Sequence, residues 1–97
     1  MTYRSRKLLD AAKHSPRCFC CGMANDGTVV AAHANGSEYG KGMGQKAHDW
    51  AIAFVCFTCH TQIDQGMLPR EQRKDMWLHA HIRTMAYLFD NGVLGVL

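Results

Sequence analysis

The sequence VCFTCHTQID, residues 55–64, decides the fold, because two thiols separated by two residues precede a histidine and an aspartate one helical turn apart. The thiols, Cys56 and Cys59, have upstream counterparts at Cys18 and Cys21 with the same gap. Tetrahedral zinc takes four thiolates, and a Cys-x-x-Cys turn presents two sulfurs on one side of the chain. The two pairs therefore predict one structural Zn²⁺ site.

The first pair has an alternative, since residues 18–21 read CFCC. We prefer Cys18 and Cys21 because their gap matches that of the second pair, which leaves Cys20 as a free or buried thiol. Two other interpretations are ordinary reduced cysteines and a redox pair at Cys56 and Cys59. A thioredoxin-like redox pair needs a longer strand and helix context than this chain supplies.

Length, cysteine count and charge limit the class of protein. A chain of 97 residues predicts one small domain, in which a metal supplements a marginal hydrophobic core. An odd count of five cysteines and a polar, basic start at residues 1–7 do not fit a secreted disulfide framework, so we expect reduced thiols in the cytoplasm. No segment approaches the roughly 18 apolar residues of a membrane span. The net charge of +3 is compatible with a nucleic-acid partner.

The pattern predicts two strands between helices, which is an α+β domain. The first element is a helix over 5–17, which Ser5 caps and Pro16 stops. A strand over 28–32 follows and delivers His33 at its end, and an irregular, mobile glycine-rich loop covers 35–46. We then expect a second strand over 51–55 and a helix from the second cysteine pair to Gly66. A strand, loop, strand and helix in this order would bring His33, Asp49 and the face of His60 and Asp64 to a common edge.

The last predicted helix, over 69–91, has the clearest periodicity. Pro69 suits its first turn, and Asn91-Gly92 would end it. Its apolar stripe, expected to pack on the strands, consists of Leu78, Ile82, Met85 and Phe89. Trp50 and Trp77 are expected to pack in the core and under this helix. The apolar tail at 93–97 makes a homodimer plausible.

A family resemblance rests on the order of these motifs. A Cys-x-x-Cys pair, a strand ending in His33, a glycine-rich loop, Asp49 before a second strand, and Cys-x-x-Cys-His together resemble the zinc-stapled HNH endonucleases. Residues 32–33, 40–49 and 56–64 more closely resemble small phage and prophage proteins of the YbcO type, which are regarded as candidate nucleases. The resemblance covers residues 5–66. It implies a ββα-metal core over 18–66, between the N-terminal helix and the longer C-terminal one, within a single domain over 1–97.

The resemblance also implies roles for single residues. His33 matches the general base, His60 the histidine that binds a catalytic Mg²⁺ or Mn²⁺, and Asp49 the middle position, which is usually asparagine. Many HNH enzymes have an acidic or histidine metal ligand just before the base, whereas this chain has Ala32. Asp64 or Asp49 is the hypothesised replacement.

These roles predict a metal-dependent DNA endonuclease, acting in phage or prophage DNA processing or recombination within the cytoplasm of the bacterial host. A neutral imidazole would take a proton from water, and a divalent cation would neutralise charge on the phosphate. Lys41, Lys46 and Arg70 are candidate phosphate contacts. The alternative is a zinc-stabilised module that binds nucleic acid or protein without chemistry.

Overall fold

The structure is a computed structural model that describes residues 2–42 and 44–95. Its helices are α1 (Arg6–Asp10), α2 (Phe57–Gln65) and α3 (Arg70–Asp90), and its strands are β1 (Val30–His33) and β2 (Ile52–Val55). Two 3₁₀ turns cover Ala11–His14 and Ser37–Tyr39. A two-stranded antiparallel sheet with three helices confirms the predicted α+β class.

The N-terminal helix is shorter than the predicted 5–17. The Ser5 hydroxyl caps α1 by accepting a hydrogen bond from the Leu8 amide, as expected. The α-helical part ends at Asp10 and the 3₁₀ turn ends at His14. Ser15 is already extended, at φ −62° and ψ 135°, because the ring of the following Pro16 disfavours a helical conformation there.

The two strands form the centre of the core. They pair antiparallel, with Val30 opposite Val55 and His33 opposite Ile52. All four residues of β2 are fully buried, whereas in β1 only Ala32 is buried, Val30 is exposed, and Ala31 and His33 are partly buried. The predicted strands are correct within two residues at each end, and His33 is itself the last residue of β1.

The outer edge of β2 is covered by other parts of the chain. The Phe54 amide donates to the Thr84 hydroxyl at 2.9 Å, and the Phe54 carbonyl accepts from the Phe19 amide at 2.9 Å. His81 donates from Nδ1 to the Ile52 carbonyl at 2.7 Å. Helix α3 and the segment around Cys18 therefore satisfy the backbone groups that a third strand would otherwise bond.

The face of α3 that packs on the sheet differs from the predicted one. The buried stripe consists of Trp77, Ala80, Thr84 and Leu88. Leu78, Ile82 and Phe89 are 39%, 57% and 52% exposed, so their assignment to the packing face is wrong, while Met85 is partly buried. The helix is rotated because Trp77 and Thr84 turn inward to bond the strand backbone, Trp77 through its Nε1 to the Ala32 carbonyl.

The remaining predictions concern loops, the tail and the tryptophans. Helix α3 ends at Asn91-Gly92 as expected, and Val93 and Leu94 fold back to donate to the Leu88 carbonyl. Val96 and Leu97 of the apolar tail, and Met43 of the glycine-rich loop, lie outside the described residues. Trp77 is 5% exposed as predicted, but Trp50 is 41% exposed and does not belong to the core. Over the described ranges, no helix has the length and apolar character needed to cross a membrane.

Candidate functional site

The four cysteines predicted to bind zinc come together. The Sγ atoms of Cys18, Cys21, Cys56 and Cys59 all lie within 4.8 Å of one another, and those of Cys21 and Cys56 are 3.9 Å apart. A zinc tetrahedron with bonds of about 2.3 Å has sulfur–sulfur edges of about 3.8 Å. The cluster therefore has the dimensions to hold a structural Zn²⁺, and it includes Cys21 rather than Cys20.

The first cysteine pair forms a tight knuckle. The amides of Cys20 and Cys21 both donate to the Cys18 sulfur at 3.4 Å, and the Gly22 amide donates to the Cys18 carbonyl at 3.0 Å. Gly22 has φ +82°, a left-handed conformation that favours glycine.

The second cysteine pair lies where β2 passes into α2. Cys56 directly follows the buried end of β2 and is the N-cap of α2, and Cys59 lies in the first helical turn. The partial positive charge at a helix N-terminus favours thiolates there. A strand, a tight junction and a helix thus fix both sulfurs of this pair.

The protonation of the thiols shows why a cation suits the cluster. Burial opposes ionisation of Cys18, but hydrogen bonds from the amides of Cys21, Cys56 and Cys20 outweigh it and lower its pKa to about 7. Burial raises the pKa of Cys56 and of Cys59. A divalent ion would let all four thiols ionise together, so its binding releases protons.

A histidine and a carboxylate meet at the end of β1. His33 Nε2 lies 2.8 Å from Asp49 Oδ1. Arg4 donates to the same oxygen at 3.0 Å, and the Ser5 amide donates to Oδ2 at 2.7 Å. Burial raises the pKa of Asp49, but these hydrogen bonds from His33, Ser5 and Arg4 outweigh it, and the pKa stays below its usual range.

The bond to Asp49 fixes the tautomer of the neutral His33 ring. An ionised carboxylate only accepts hydrogen bonds, so Nε2 carries the proton and Nδ1 keeps its lone pair. Among the described residues no buried side-chain nitrogen or oxygen lacks a partner, and the Nδ1 of His33 has none, so this atom reaches solvent. The ring is thus arranged to accept a proton at Nδ1.

A second histidine and carboxylate pair lies on α2. His60 Nε2 is 3.0 Å from Asp64 Oδ2, and both side chains are half-exposed, on the shared helix face that the spacing predicted. Asn35 donates from Nδ2 to Asp64 Oδ1 at 3.1 Å. Because Asn35 follows His33 by two residues, this bond connects the end of β1 to α2. Sequence reasoning missed Asn35, since only the folded structure brings it to the helix.

Ala32, which stands where the family resemblance predicts a metal ligand, lies in the core. Ala32 is buried and its carbonyl accepts from Trp77. Both oxygens of Asp49 and both oxygens of Asp64 take part in hydrogen bonds, but Asp49 is buried whereas the Asp64 side chain is 35% exposed, so Asp64 is the more accessible carboxylate. Across residues 2–42 and 44–95, the four cysteines are the one cluster of three or more Cys, His, Asp or Glu ligand atoms close enough to hold a metal.

The predicted phosphate contacts are exposed and lie in different places. Lys41 and Lys46 are in the loop before β2, and Arg70 begins α3. Arg70 lines a groove of about 790 Å³ between residues 34–39, the end of α2 and the first half of α3. Arg73, also in this groove, bonds the Ile63 and Asp64 carbonyls and so completes the end of α2.

Comparisons of this chain with protein-family models, with curated proteins and with solved structures found no match.

Proposed function

We propose that this protein is a metal-dependent DNA endonuclease of the HNH type. The observation that carries the proposal is the hydrogen bond of 2.8 Å between His33 Nε2 and the buried Asp49, at the end of β1. It lies within a unit of β1, β2 and α2, in which the cysteine cluster joins the segment before β1 to the start of α2. The placement in phage or prophage DNA processing rests on the residue resemblance alone.

His33 acts as the general base in this proposal. Its Nδ1 accepts a proton from the water that attacks the phosphorus, while Nε2–H stays bonded to Asp49. Asp49 does not take the proton. Its negative charge holds the ring in orientation and stabilises the imidazolium that forms, as the aspartate of a catalytic triad does.

His60 and Asp64 are the residues that would hold the catalytic cation. One imidazole and one carboxylate, both partly exposed, leave room for water and phosphate oxygens, and Mg²⁺ is commonly bound through only one or two protein carboxylates together with water and substrate phosphates. A bound Mg²⁺ or Mn²⁺ supplies neutralisation of charge on the phosphate and the leaving oxygen. Asn35 orients Asp64 for this role through its hydrogen bond to Oδ1.

A nuclease assay on zinc-loaded protein tests the proposal. We expect single-stranded, duplex and branched DNA, offered with Mg²⁺ or Mn²⁺, to include a substrate that the protein cleaves. The His33→Ala variant should lose this activity and keep its zinc. His79→Ala is the matched control, because His79 is exposed on α3, and it should cleave like the wild type. Cleavage by His33→Ala at the wild-type rate would remove His33 from the base role.

A zinc-stabilised binding module without chemistry is the second candidate. The observation that favours it is the burial of Ala32, together with the incomplete ligand set at His60 and Asp64. It predicts salt-sensitive DNA binding that His33→Ala leaves unchanged, and no cleavage with any divalent ion.

A further inference from the structure

An exposed aromatic surface lies next to the His33–Asp49 pair. Trp50 directly follows Asp49 and is 41% exposed. Its ring stacks on that of His48, with centroids 5.4 Å apart and planes 12° from parallel. Trp50 therefore contributes little to the core and stays accessible to a ligand.

His48 is held in place from several sides. Its Nδ1 accepts from the Tyr3 amide at 2.9 Å, and its own amide donates to the Tyr39 carbonyl at 2.8 Å. Its ring covers Gly40, where an added Cβ would come within 2.6 Å of the imidazole. The Tyr39 ring meets Trp50 edge-on at 6.3 Å. Trp50 therefore stands on a rigid support, so little conformational entropy is lost when a ligand stacks on it.

Cationic groups flank this surface. Tyr3, exposed and bonded to His48, precedes Arg4, whose guanidinium is partly exposed beside Asp49. Arg4 also donates to the carbonyl of the exposed Lys46 at 2.9 Å. We name the stacked pair of His48 and Trp50 the aromatic platform. Aromatic rings beside positive charge are the usual means by which proteins hold unpaired nucleic-acid strands.

We propose that an unpaired base of single-stranded DNA stacks on the aromatic platform. The strand is then unpaired beside the phosphate that the water activated by His33 attacks. This inference rests on the proposed function for the identity of the substrate. In a duplex both faces of a base are covered by its neighbours, whereas an unpaired base offers a face to Trp50. The continuous stack then runs from His48 through Trp50 to the base.

Tryptophan fluorescence of the His33→Ala protein, zinc-loaded and without added Mg²⁺ or Mn²⁺, tests the platform without cleavage. Trp77 is buried, so quenching by a ligand reports on Trp50. An oligo(dT) of about 12 nucleotides, within the site sizes of single-strand binders, should quench the emission, and the matched duplex should quench it far less. Adding Trp50→Ala should weaken oligo(dT) binding, measured by anisotropy, by about 5- to 150-fold, the effect of losing one stacked base.

Two variants and an RNA strand complete the test. Trp50→Phe keeps a ring and should retain most of the affinity, while Phe57→Ala, an exposed aromatic at the start of α2, should leave binding unchanged. Equal oligo(dT) affinity of the Trp50→Ala and Trp50→Phe variants would overturn the platform. Duplex that binds as tightly as oligo(dT), without quenching the tryptophan emission, would overturn it too. Tighter, Trp50-dependent binding of oligo(rU) would support the platform and contradict DNA as the substrate. Trp50-dependent oligo(dT) binding without cleavage by the wild type would support the platform and reject the nuclease.

Discussion

Asp49 connects parts of the chain that are far apart in sequence. Its carboxylate accepts from Arg4 and Ser5 at the N-terminus and from His33 at the end of β1, and its own amide donates to the Tyr3 carbonyl. The carboxylate is therefore a structural junction as well as the partner of the proposed base. Its contribution to stability and its contribution to cleavage can be measured separately.

Asp49→Ala should lower the free energy of unfolding by about 1–3 kcal/mol, because the half-buried Ser5 amide and the Nε2–H of His33 lose their acceptor. Asp49→Asn keeps a side-chain oxygen and should lose less. Urea unfolding of the zinc-loaded variants, followed by circular dichroism, gives both values. Equal stability of Asp49→Ala and wild type would show that the junction is not stabilising.

The pH dependence of this difference has a definite sign. The pKa of Asp49 is lowered in the folded protein, so the carboxylate stabilises the fold above the unfolded value of about 4 and loses this effect as the pH falls through the folded value. The stability gap between wild type and Asp49→Asn should narrow as the pH falls below about 4. Protonation of the clustered cysteine thiols affects both proteins and cancels in the difference. A gap that widens as the pH falls below about 4 would contradict the assignment.

Helix α3 shows what hydrophobic periodicity can and cannot predict. The period of Leu78, Ile82, Met85 and Phe89 correctly predicts a helix, but a second stripe of Trp77, Ala80, Thr84 and Leu88 is the one that packs. The choice between them depends on which residues can bond the edge of β2. Thr84 does so through its hydroxyl, and hydrophobicity alone gives no sign of this.

Two substitutions on α3 test its orientation. Leu88→Ala should cost about 2–5 kcal/mol of unfolding free energy, since Leu88 is fully buried. Ile82→Gln should change it by no more than about 0.5 kcal/mol, because Ile82 is exposed. If the stripe that contains Ile82 faced the sheet instead, Ile82→Gln would lower the unfolding free energy more than Leu88→Ala. Chemical denaturation of the two single variants decides between the orientations.

The other features were predictable to different degrees, depending on how far apart in the sequence the residues that form them lie. The cysteine pairs, the Ser5 cap and the end of α3 at Gly92 follow from motifs of a few residues whose geometry is nearly fixed. The bonds of Arg4 to Asp49 and of Asn35 to Asp64 cross 45 and 29 positions of the chain. No spacing rule anticipates such contacts, because they depend on how the loops fold back on the sheet.

At the scale of the whole molecule, the cysteine cluster joins the segment before β1 to the start of α2. Structural zinc in small domains contributes about 10–16 kcal/mol of apparent binding free energy, which equals or exceeds the total stability of a typical domain. We therefore expect Cys59→Ser to lose zinc and unfold at 25 °C. Cys20→Ser is the matched control and should keep both zinc and fold, because Cys20 lies outside the cluster.

Zinc content by elemental analysis and circular dichroism of the two variants check this expectation. Calorimetric titration of zinc in buffers of different ionisation enthalpy adds a second measurement. Since the thiols of Cys56 and Cys59 have raised pKa values, at least about two protons should be released per zinc at pH 7.5. A folded, zinc-free Cys59→Ser protein would show that the hydrophobic core alone keeps the domain folded.

The covered edge of β2 has a consequence for the chain during its synthesis. The cysteines, both strands and α2 are complete once residue 65 has left the ribosome, but the cover for the backbone of Ile52 and Phe54 comes from His81 and Thr84. For the time needed to translate the intervening residues, a nascent chain with an assembled cysteine cluster exposes the uncovered edge of β2, a strand of apolar sequence. Such an edge readily pairs with other chains, so a product truncated before α3 should aggregate although its zinc ligands are intact.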